Sequence, residues 1–593
     1  MGAILPRSSG STGPLGRYSA RVSHPIARSS VGKVSIVALL ALAALPGSSA
    51  CSSAASTKPD DDASAQGAVG SAGSSAGSAG FAGGGGFIAG GSGGTTAVVI
   101  PDPQNCAEAA EGHTYVGCDF WPTVLDNIVR PDFDFAVVAA NAGAQEAEIT
   151  VERGTTLIGK TTVQPGSLVK MFLPWVPELK SLTSIAKGCP TDAKLSTVNA
   201  KQGAYHVTSN RPVALYQFNA IEYEGKGGPA GKDWGTCQTD TCLGMLKGKC
   251  FSYSNDASLL LPSTALTGNY RVAGPPAWQD VDPDSTSGGF VFPPYVAVTG
   301  TVDGTLVNVK LSATAAIAKG AGLPDIPAGG TTSFKLDKGD VALLVGKQAT
   351  GVDFSGTLIQ SSAPVQVLSG ISCSNVPADR VACDHLEESV LPAETMGKHY
   401  FVTAPSGPSG KMLGHVIRFY GNVDGTTLTY PGKNPGGPTK LDAGEVVDVS
   451  VTSTDFEVYG DQPFMVGSFQ VGAGPKTSQQ LGDPSQSFLV TVEQFRTKYV
   501  FLTPDDYDES YADIVQPLDA VLTLDGAPVA VTPTEISSGY GSVRVKLAPG
   551  NKGAHVLTSD KAVGLQVMGY GSYTSYQYPG GLNLGQIAPP PIK

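Results

Sequence analysis

One short pattern recurs four times along the chain and limits the fold more than any other feature. Each copy opens with a tyrosine before an apolar run and closes with a polar turn before a second apolar run. The opening tyrosines are Tyr115, Tyr270, Tyr400 and Tyr499, and the closing positions are Pro212, Pro364, Pro463 and Ala562. From opening to closing position the copies span 97, 94, 63 and 63 residues, so two are long and two are short. Such internal similarity predicts tandem structural units.

The residues inside each copy follow the pattern of strands and turns. Phe135–Ala140 is a continuous apolar run, a turn signal follows at 141–143, and apolar residues then alternate at Ala147, Ile149 and Val151. Alternation with a period of two is typical of half-buried strands, and no sustained helical period of 3.6 residues occurs. With 75 Gly and 43 Pro in 593 residues, a long helical bundle is excluded. The predicted class is all-β.

Asp-Gly dipeptides mark hairpins at matching places in the copies. Val302–Thr305 recurs as Val423–Thr426, and both contain Asp-Gly between apolar runs. Glycine accepts the positive φ that tight hairpin turns require. A second hairpin is predicted in each copy at one further glycine. These glycines are Gly166, Gly339, Gly444 and Gly550.

The repeats predict β-sandwich-like units in tandem, after a disordered Gly/Ser/Ala tether. The expected boundaries are 97–260 for a disulfide-bearing first β-unit, 261–390 for the second, 391–488 for the third and 489–593 for the fourth. An alternative is a smaller number of domains in which strands are shared between repeats.

Residues 1–50 have the pattern of an export signal. They contain five basic residues and no acidic ones, and the 12-residue apolar run Val34–Leu45 is too short to span a membrane. Ala50-Cys51 resembles the lipobox of bacterial lipoproteins, which implies that Cys51 is lipidated, although Ser48 stands where that motif usually has Leu. Ordinary cleavage after Ala50 is the alternative.

Residues 51–96 follow as the lipidated cysteine and a linker of almost only Ser, Ala and Gly. Such a composition buries too little apolar area to fold and predicts a flexible tether with a mean reach of roughly 35 to 40 Å. The net charge of the whole chain is -12, which disfavours nucleic acid as a partner because phosphate binding needs a basic surface. The expected location is the outer membrane or cell surface, with a lipid anchor.

Eight cysteines remain after Cys51. They are Cys106, Cys118, Cys189, Cys237, Cys242, Cys250, Cys373 and Cys383. An even number in an exported chain predicts four disulfides. Because each pair is local and isolated, Cys106 is expected to pair with Cys118 and Cys373 with Cys383, which leaves the other four to pair among themselves. A zinc site at Cys373, Cys383 and His385 is the less favoured alternative.

Two regions resemble the IgGFc-binding protein N-terminal domain family, which also occurs in large exported bacterial proteins. The first combines Tyr115–Pro122 with Leu173–Leu179, and the second runs from Gly370 through Cys383-Asp384-His385-Leu386 to Leu391-Pro392. The resemblance covers most of residues 106 to about 570. It implies an extracellular binding or adhesive module, and the ligand of one member does not transfer to another.

Asp384, His385, Glu387 and Glu388 form the densest ionisable cluster that includes a histidine. They are the candidate binding residues, with no catalytic residue, cofactor or metal expected. A hydrolase interpretation would make His385 a general base, whereas the structural interpretation lets these groups satisfy backbone atoms at a domain junction. Two acidic loops, 280–284 and 505–509, suggest calcium through their carboxylates, but neither has EF-hand spacing, and a solvated loop is the simpler interpretation.

Three functions remain open. The favoured one is a membrane-tethered extracellular binding or adhesion protein of the bacterial surface, non-catalytic, whose partners are membrane lipid through Cys51 and an unknown protein or glycan ligand. A structural envelope component is the alternative, and an exported hydrolase is less favoured.

Overall fold

The regular secondary structure of the described chain is almost entirely antiparallel strand, which confirms the all-β class. The computed structural model describes residues 102–181, 195–236, 250–252, 255–281, 289–378, 380, 383–472, 481–505, 507–548 and 553–591. The expected signal peptide, Cys51 and the linker lie outside these ranges, as do Cys189, Cys237, Cys242 and Gly550. The helical part consists of α1 (Cys106–Gly112) and the 3-10 turns Trp234–Thr236, Ser263–Ala265, Ala393–Thr395, Pro408–Gly410 and Val492–Gln494.

The first strand group contains eight strands. They are β1 (Gly117–Phe120), β2 (Phe135–Ala140), β3 (Ala147–Arg153), β4 (Thr156–Val163), β5 (Leu168–Leu173), β6 (Val198–Ala200), β7 (His206–Asn219) and β8 (Ala257–Leu260). The long strand β7 organises the group, because its first half pairs with β1 and β3 and its second half with β2 and β8. The apolar run Phe135–Ala140 is buried on both faces, because its side chains enter two different apolar clusters in alternation.

The second strand group contains ten strands. They are β9 (Asn269–Arg271), β10 (Trp278–Gln279), β11 (Val291–Phe292), β12 (Pro294–Gly300), β13 (Thr305–Lys310), β14 (Thr331–Leu336), β15 (Val341–Val345), β16 (Leu358–Ser361), β17 (Val365–Ser374) and β18 (Asp384–Ser389). Two sheets, ordered β18-β17-β12-β15-β6 and β14-β13-β16-β9, enclose one apolar core. Strand β13 shows how the sequence forms this core. Val307 and Val309 point into the core, while the alternate residues Leu306, Asn308 and Lys310 face solvent.

The third and fourth groups repeat this arrangement. The third contains β19 (His399–Val402), β20 (His415–Gly421), β21 (Thr426–Thr429), β22 (Lys440–Leu441), β23 (Val446–Thr452), β24 (Phe456–Gly460), β25 (Phe464–Gln470) and β26 (Gln486–Phe488). The fourth contains β27 (Arg496–Leu502), β28 (Glu509–Pro517), β29 (Leu522–Leu524), β30 (Ala527–Pro528), β31 (Thr534–Ser537), β32 (Tyr540–Leu547), β33 (Ala554–Gly571) and β34 (Thr574–Pro579). In the fourth group one continuous strand, β33, pairs with both β27 and β28.

The predicted turns are present and recur with the same hydrogen bonds, but the prediction of hairpins was wrong. Each turn connects strands of two different sheets, since β12 pairs with β15 and β17 whereas β13 pairs with β14 and β16. In the second group the amide of Gly304 donates to Asp337 Oδ1 at 3.1 Å, and the amide of Lys338 donates to Asp303 Oδ1 at 2.9 Å. In the third group Gly425 and Ala443 make the equivalent bonds to Asp442 and Asp424, at 2.8 and 2.9 Å. In each group the Asp-Gly turn and the turn at Gly339 or Gly444 therefore hold each other, because an aspartate of each turn accepts a backbone amide of the other. Their glycines have the positive φ that was predicted, including 84° at Gly339 and 82° at Gly444.

One strand lies in a sheet beyond its expected range. Strand β6 belongs to residues 97–260, but it pairs with β15 of the second group, where Ala200 faces Val341. Residues Gly91–Lys593 form one compact unit, and a single apolar cluster takes side chains from all four groups, such as Tyr216, Ala273, Tyr420 and Tyr578. The four-unit boundaries stay a prediction.

The four groups contact one another in cyclic order. The first and second meet at β6 and β15, the second and third at Arg418 and Asp353, the third and fourth at Asp455 and Arg544, and the fourth and first at Asn583 and Thr114. The last strand of each group, β8, β18, β26 or β34, lies on the inside, where these four strands contact one another. This inner junction is where the predicted site residues lie.

Candidate functional site

The four candidate binding residues lie on β18, at the inner junction. Asp384, His385 and Glu387 are 0% exposed and Glu388 is 1% exposed. Their burial follows from the position of β18, which pairs with β17 on one side and contacts β8, β26 and β34 on the other. An outside ligand cannot contact these side chains in this conformation. A role in binding stays a prediction for these residues. Such a role would be indirect, with the residues fixing the shape of the junction.

His385 and Glu387 are held by a network of neutral polar side chains. His385 Nε2 lies 3.0 Å from Glu387 Oε2, and its Nδ1 lies 3.4 Å from the Tyr295 hydroxyl. The Ser258 hydroxyl donates to Glu387 Oε1 at 3.0 Å, and Asn219 Nδ2 donates to Oε2 of the same carboxylate. Both ring nitrogens of His385 therefore face partners inside the protein. A general base must reach the proton of a substrate, so this geometry does not support the hydrolase interpretation.

Asp256 links the four inner strands through backbone amides. Its own strand begins at Ala257, whose amide donates to Asp256 Oδ1 at 2.9 Å. The amides of Glu387 and Gln486 donate to Oδ2 at 3.2 Å each, and the amide of Gln577 donates to Oδ1 at 3.4 Å. One carboxyl group thus satisfies donors from β8, β18, β26 and β34. Asp256 carries no motif that marks it in the sequence, and its only signal is an Asn-Asp pair before an apolar run.

Asp384 caps backbone donors in the same way. Its Oδ1 accepts from the amide of His385 at 3.1 Å, and its Oδ2 accepts from the amide of Ser575 at 3.4 Å. These bonds agree with the structural interpretation, in which the acidic residues satisfy backbone groups at a junction.

Burial controls the protonation of this junction. It raises the pKa of Asp256 well above the usual value of a carboxyl group. Burial likewise raises the pKa of Asp384, and the nearby charges of Asp483 and Asp256 raise it further. The pKa of Glu388 is also raised by burial. Protonated carboxyl groups can remain inside an apolar environment at neutral pH, and they contribute hydrogen bonds there without a net charge.

The predicted local disulfides are present. Cys106 is bonded to Cys118 with 5.7 Å between the Cα atoms, and Cys373 is bonded to Cys383 with 5.2 Å. The second bond ties the end of β17 to the start of β18, beside the inner junction. Because Cys373 and Cys383 are bonded to each other, neither can supply a zinc thiolate. Cys250 is also in a disulfide.

A third arrangement has no signature in the sequence. Thr503 Oγ1 lies 3.2 Å from His555 Nε2, and His555 Nδ1 lies 2.8 Å from Asp525 Oδ2. Hydroxyl, imidazole and carboxylate follow one another in the order used by serine hydrolases. Thr503 is only 6% exposed and His555 only 3%, so the hydroxyl is closed to a substrate. The arrangement joins the ends of β27 and β33 to the turn after β29.

The described residues contain no group of three or more His, Cys, Asp or Glu side chains placed to hold a metal ion. The two acidic loops proposed for calcium fall partly outside the described ranges, at 282–284 and 506. Of the helices in the described ranges, none has the length and apolar character needed to cross a membrane.

Comparison with known proteins identifies relatives of this chain. The family model described as IgGFc binding protein matches residues 256–569, from the residue before β8 to within β33. The human IgGFc-binding protein is 26% identical over 272 residues, which are 45% of this chain and 5% of the human protein. The chain thus spans a small part of that relative. The segments Tyr115–Pro122 and Leu173–Leu179 lie outside the range that the family model matches. No solved structure matches the chain.

Proposed function

The chain belongs to the IgGFc binding protein family, and from this premise we propose that it is a non-catalytic binding or adhesion protein of the bacterial surface. Cys51 carries the lipid that holds it at the outer membrane, and the linker up to residue 96 separates the folded part from the bilayer. Its ligand is an extracellular protein or glycan. The name of the human relative refers to the Fc part of IgG, and this ligand is not transferred to the present chain.

The observation that carries the proposal is the contrast between the inside and the outside of the molecule. His385 and Glu387, which the hydrolase interpretation needs, are enclosed at the inner junction. The outside presents hairpin turns on a scaffold of paired strands, and loops on a rigid scaffold are the usual carriers of recognition. The clasped turns at Asp303 and Asp424 show how firmly such loops are held.

The disulfides support export. The Cys106–Cys118 and Cys373–Cys383 bonds form and persist in oxidising compartments outside the cytoplasm. A tethered folded domain with disulfide bonds suits a position on the cell surface, where the protein meets proteases and changing conditions. The same features would suit a structural envelope component, so a direct measurement of binding is needed.

The test is a binding screen with the mature chain. The Cys51→Ser variant, produced as a soluble protein with its disulfides formed, is applied to an array of extracellular proteins and glycans. Saturable binding to at least one ligand, lost on thermal unfolding, supports the proposal. Binding to none, with the folded state verified by circular dichroism, contradicts it and favours the structural envelope component.

Lipid anchoring has a separate test. The natural chain and the Cys51→Ser variant are expressed in a bacterial host that processes lipoproteins, and their membrane and soluble fractions are compared. The natural chain is expected in the membrane fraction with the added mass of acyl groups on Cys51, and the variant in the soluble fraction. A variant that stays membrane-bound would show that Cys51 is not the anchor.

A further inference from the structure

The side chains of Lys180 and Asn127 meet in the interior of the protein. Asn127 lies on the segment between β1 and β2, Lys180 lies on the segment between β5 and β6, and they are 0% and 2% exposed. The amine nitrogen of Lys180 contacts Asn127 Oδ1, and it donates to the main-chain carbonyls of Asn127 at 3.1 Å and of Val129 at 2.7 Å. These three acceptors are neutral oxygen atoms. The amine is therefore held against a carboxamide group rather than against a carboxylate.

The carboxamide of Asn127 is fixed in one orientation. Its Nδ2 donates to the carbonyl of Leu125 at 2.9 Å, and its Oδ1 accepts from the amide of Val129 at 3.1 Å. A backbone N–H that already points at a carbonyl oxygen stabilises the negative charge that grows there when a nucleophile attacks the carbon atom. The bond from Val129 thus activates Asn127 Cγ toward a nucleophile.

The amine of Lys180 has the protonation state that a nucleophile needs. Burial lowers the pKa of Lys180 to about 7, and the charge of Asp126 opposes this shift only in part. A large share of the amine is therefore unprotonated at neutral pH, and a neutral amine is a nucleophile. The amine and the carboxamide are held in contact, which replaces the collision of two separate molecules.

Asp126 places a carboxylate beside both reacting residues. It precedes Asn127 in the chain, and its Oδ1 accepts from the amide and the hydroxyl of Ser181, the residue after Lys180, at 2.6 and 2.5 Å. Its Oδ2 accepts from the hydroxyl of Ser372, and a carboxylate oxygen has a second lone pair with which to take up a proton. Asp126 is therefore suited to carry a proton between the two side chains.

We propose that Lys180 and Asn127 are joined by an isopeptide bond, which is an amide bond between their side chains. Lys180 Nζ attacks Asn127 Cγ, the Nζ–Cγ bond forms, and the Cγ–Nδ2 bond breaks. One proton passes from Nζ to Nδ2 through Asp126, which is regenerated, and one molecule of ammonia leaves. One amide is exchanged for another, so atoms and electrons balance without an oxidant or any other co-reactant.

The bond links positions that are 53 residues apart, with β2, β3, β4 and β5 between them. It withstands the reducing agents that open disulfides, and it limits the freedom of the unfolded chain as a disulfide does. A cross-link of this kind needs no ligand, so it is independent of the proposed binding function.

The test is peptide mapping of the mature Cys51→Ser chain, which keeps both residues. The folded protein is reduced, unfolded and digested with trypsin, and the peptides are identified by tandem mass spectrometry. We expect one branched peptide that contains Asn127 and Lys180, lighter than its two component peptides together by the mass of one ammonia molecule. Trypsin does not cleave after an acylated lysine, so cleavage after Lys180 is expected to be lost. Lys232 is the internal control, because its amine lies 2.6 Å from Asp134 Oδ2 in a partly exposed ion pair and should remain free.

The variant Lys180→Arg separates a covalent role from a structural one. Arginine keeps a cation and its N–H donors, but its guanidinium stays protonated and is not a nucleophile. The branched peptide is expected to disappear in Lys180→Arg and to persist in the matched control Lys232→Arg. If Lys180→Arg does not fold, the peptide map of the chain with Lys180 still decides.

Recovery of only separate peptides, with Asn127 and Lys180 unmodified, would overturn the inference and leave Lys180 as a structural ammonium group bonded to three carbonyl oxygens. Loss of ammonia from Asn127 without a link to Lys180 would overturn it as well, since that product arises when Asn127 closes a ring with its own backbone. Either outcome leaves the proposed binding function in place, because the ligand array tests that function separately.

Discussion

The backbone amide of Tyr115 donates a hydrogen bond to the carbonyl of Leu582 at 3.1 Å, which joins the beginning of the first strand group to the end of the fourth. The amide of Leu584 donates in turn to the carbonyl of His113 at 2.7 Å. These contacts close the cyclic order of the four groups. Leu582 and Leu584 are each 1% exposed, so the closing segment also adds apolar side chains to the shared core.

Deleting residues 582–593 should therefore destabilise the whole unit. It removes both backbone bonds and two buried leucines, each worth about 1.5 to 3 kcal/mol. The expected result is a free energy of unfolding lower by ~3 kcal/mol or more, with faster hydrogen exchange at the amide of Tyr115. Deleting only 589–593 leaves these contacts intact and is the control. Equal stability of the two truncations would contradict the closing role.

Three of the four opening tyrosines make one repeated hydrogen bond, whereas the hydroxyl of Tyr115 accepts from the amide of Val500 at 3.2 Å. The hydroxyl of Tyr270 donates to the carbonyl of Val365 at 2.6 Å, that of Tyr400 to Phe464 at 2.7 Å, and that of Tyr499 to Val563. Each acceptor directly follows the closing position of its repeat, so the bond locks the two ends of the repeat together.

Tyr400→Phe is expected to lower the free energy of unfolding by about 1 to 2 kcal/mol, because a buried carbonyl loses its donor. The measurement is chemical denaturation followed by intrinsic fluorescence. Tyr459→Phe is the matched control, since that side chain is 46% exposed on the paired strand, and it should change the stability little. Similar losses for both substitutions would show that the hydroxyl bond of Tyr400 contributes nothing specific.

Arg418 connects the second and third groups. Its guanidinium donates to Asp353 Oδ2 at 2.6 Å, to the carbonyl of Gly274 at 2.6 Å and to Asp448 Oδ1 at 2.7 Å. Burial alone would lower the pKa of Arg418, but the carboxylates of Asp353 and Asp448 outweigh it and raise the pKa.

Arg418→Met should lower the free energy of unfolding by about 3 to 5 kcal/mol, because it leaves Asp353 buried without its cation. Thermal unfolding measures the loss. Lys561→Met is the control, since Lys561 and Asp519 form an exposed pair at the surface, and such pairs contribute about 0 to 1 kcal/mol. A loss below 1 kcal/mol for Arg418→Met would mean that the two groups do not depend on this contact.

The bond between Cys373 and Cys383 closes a short loop beside the inner junction. Replacing both cysteines by serine should reduce stability by about 2 to 4 kcal/mol, because the unfolded chain regains the freedom that the bond removes. Peptide mapping under non-reducing conditions, before and after reduction, verifies the pairing. Finding free thiols at both positions in the native protein would contradict the bond.

The features that could be predicted from the sequence are those that depend on the spacing of nearby residues. The all-β class followed from alternation, the turns from glycines such as Gly339 and Gly444, and the disulfides from cysteines 10 and 12 residues apart. Each of these features is decided within a few residues or by exact repetition of the chain.

The inner junction follows from contacts that no local pattern contains. Asp256 meets the amides of Gln486 and Gln577, 230 and 321 residues away, and only the packing of four strand groups brings them together. Asp384 and His385 were singled out as candidate binding residues, with a structural role at a domain junction as the other interpretation, and the pairing of β18 with β17 places them inside. Strand β6 likewise joins a sheet beyond its expected boundary, because pairing partners are chosen in three dimensions.

The raised pKa of Glu388 predicts how stability depends on pH. Burial raises this pKa above the value of about 4.3 that a glutamate has in an unfolded chain. Between the two pKa values the folded state keeps a proton that the unfolded state releases, so stability falls as the pH rises through this range.

Glu388→Gln keeps the shape of the protonated acid and cannot ionise. The variant should therefore match the natural chain near pH 4 and unfold at a higher temperature at pH 7, with a difference that grows with pH. Thermal midpoints at four pH values between 4 and 8 measure this difference, with Glu535→Gln, an exposed residue on β31, as the control. Parallel pH profiles for Glu388→Gln and the natural chain would show that this carboxyl group ionises in the folded protein as freely as in the unfolded one.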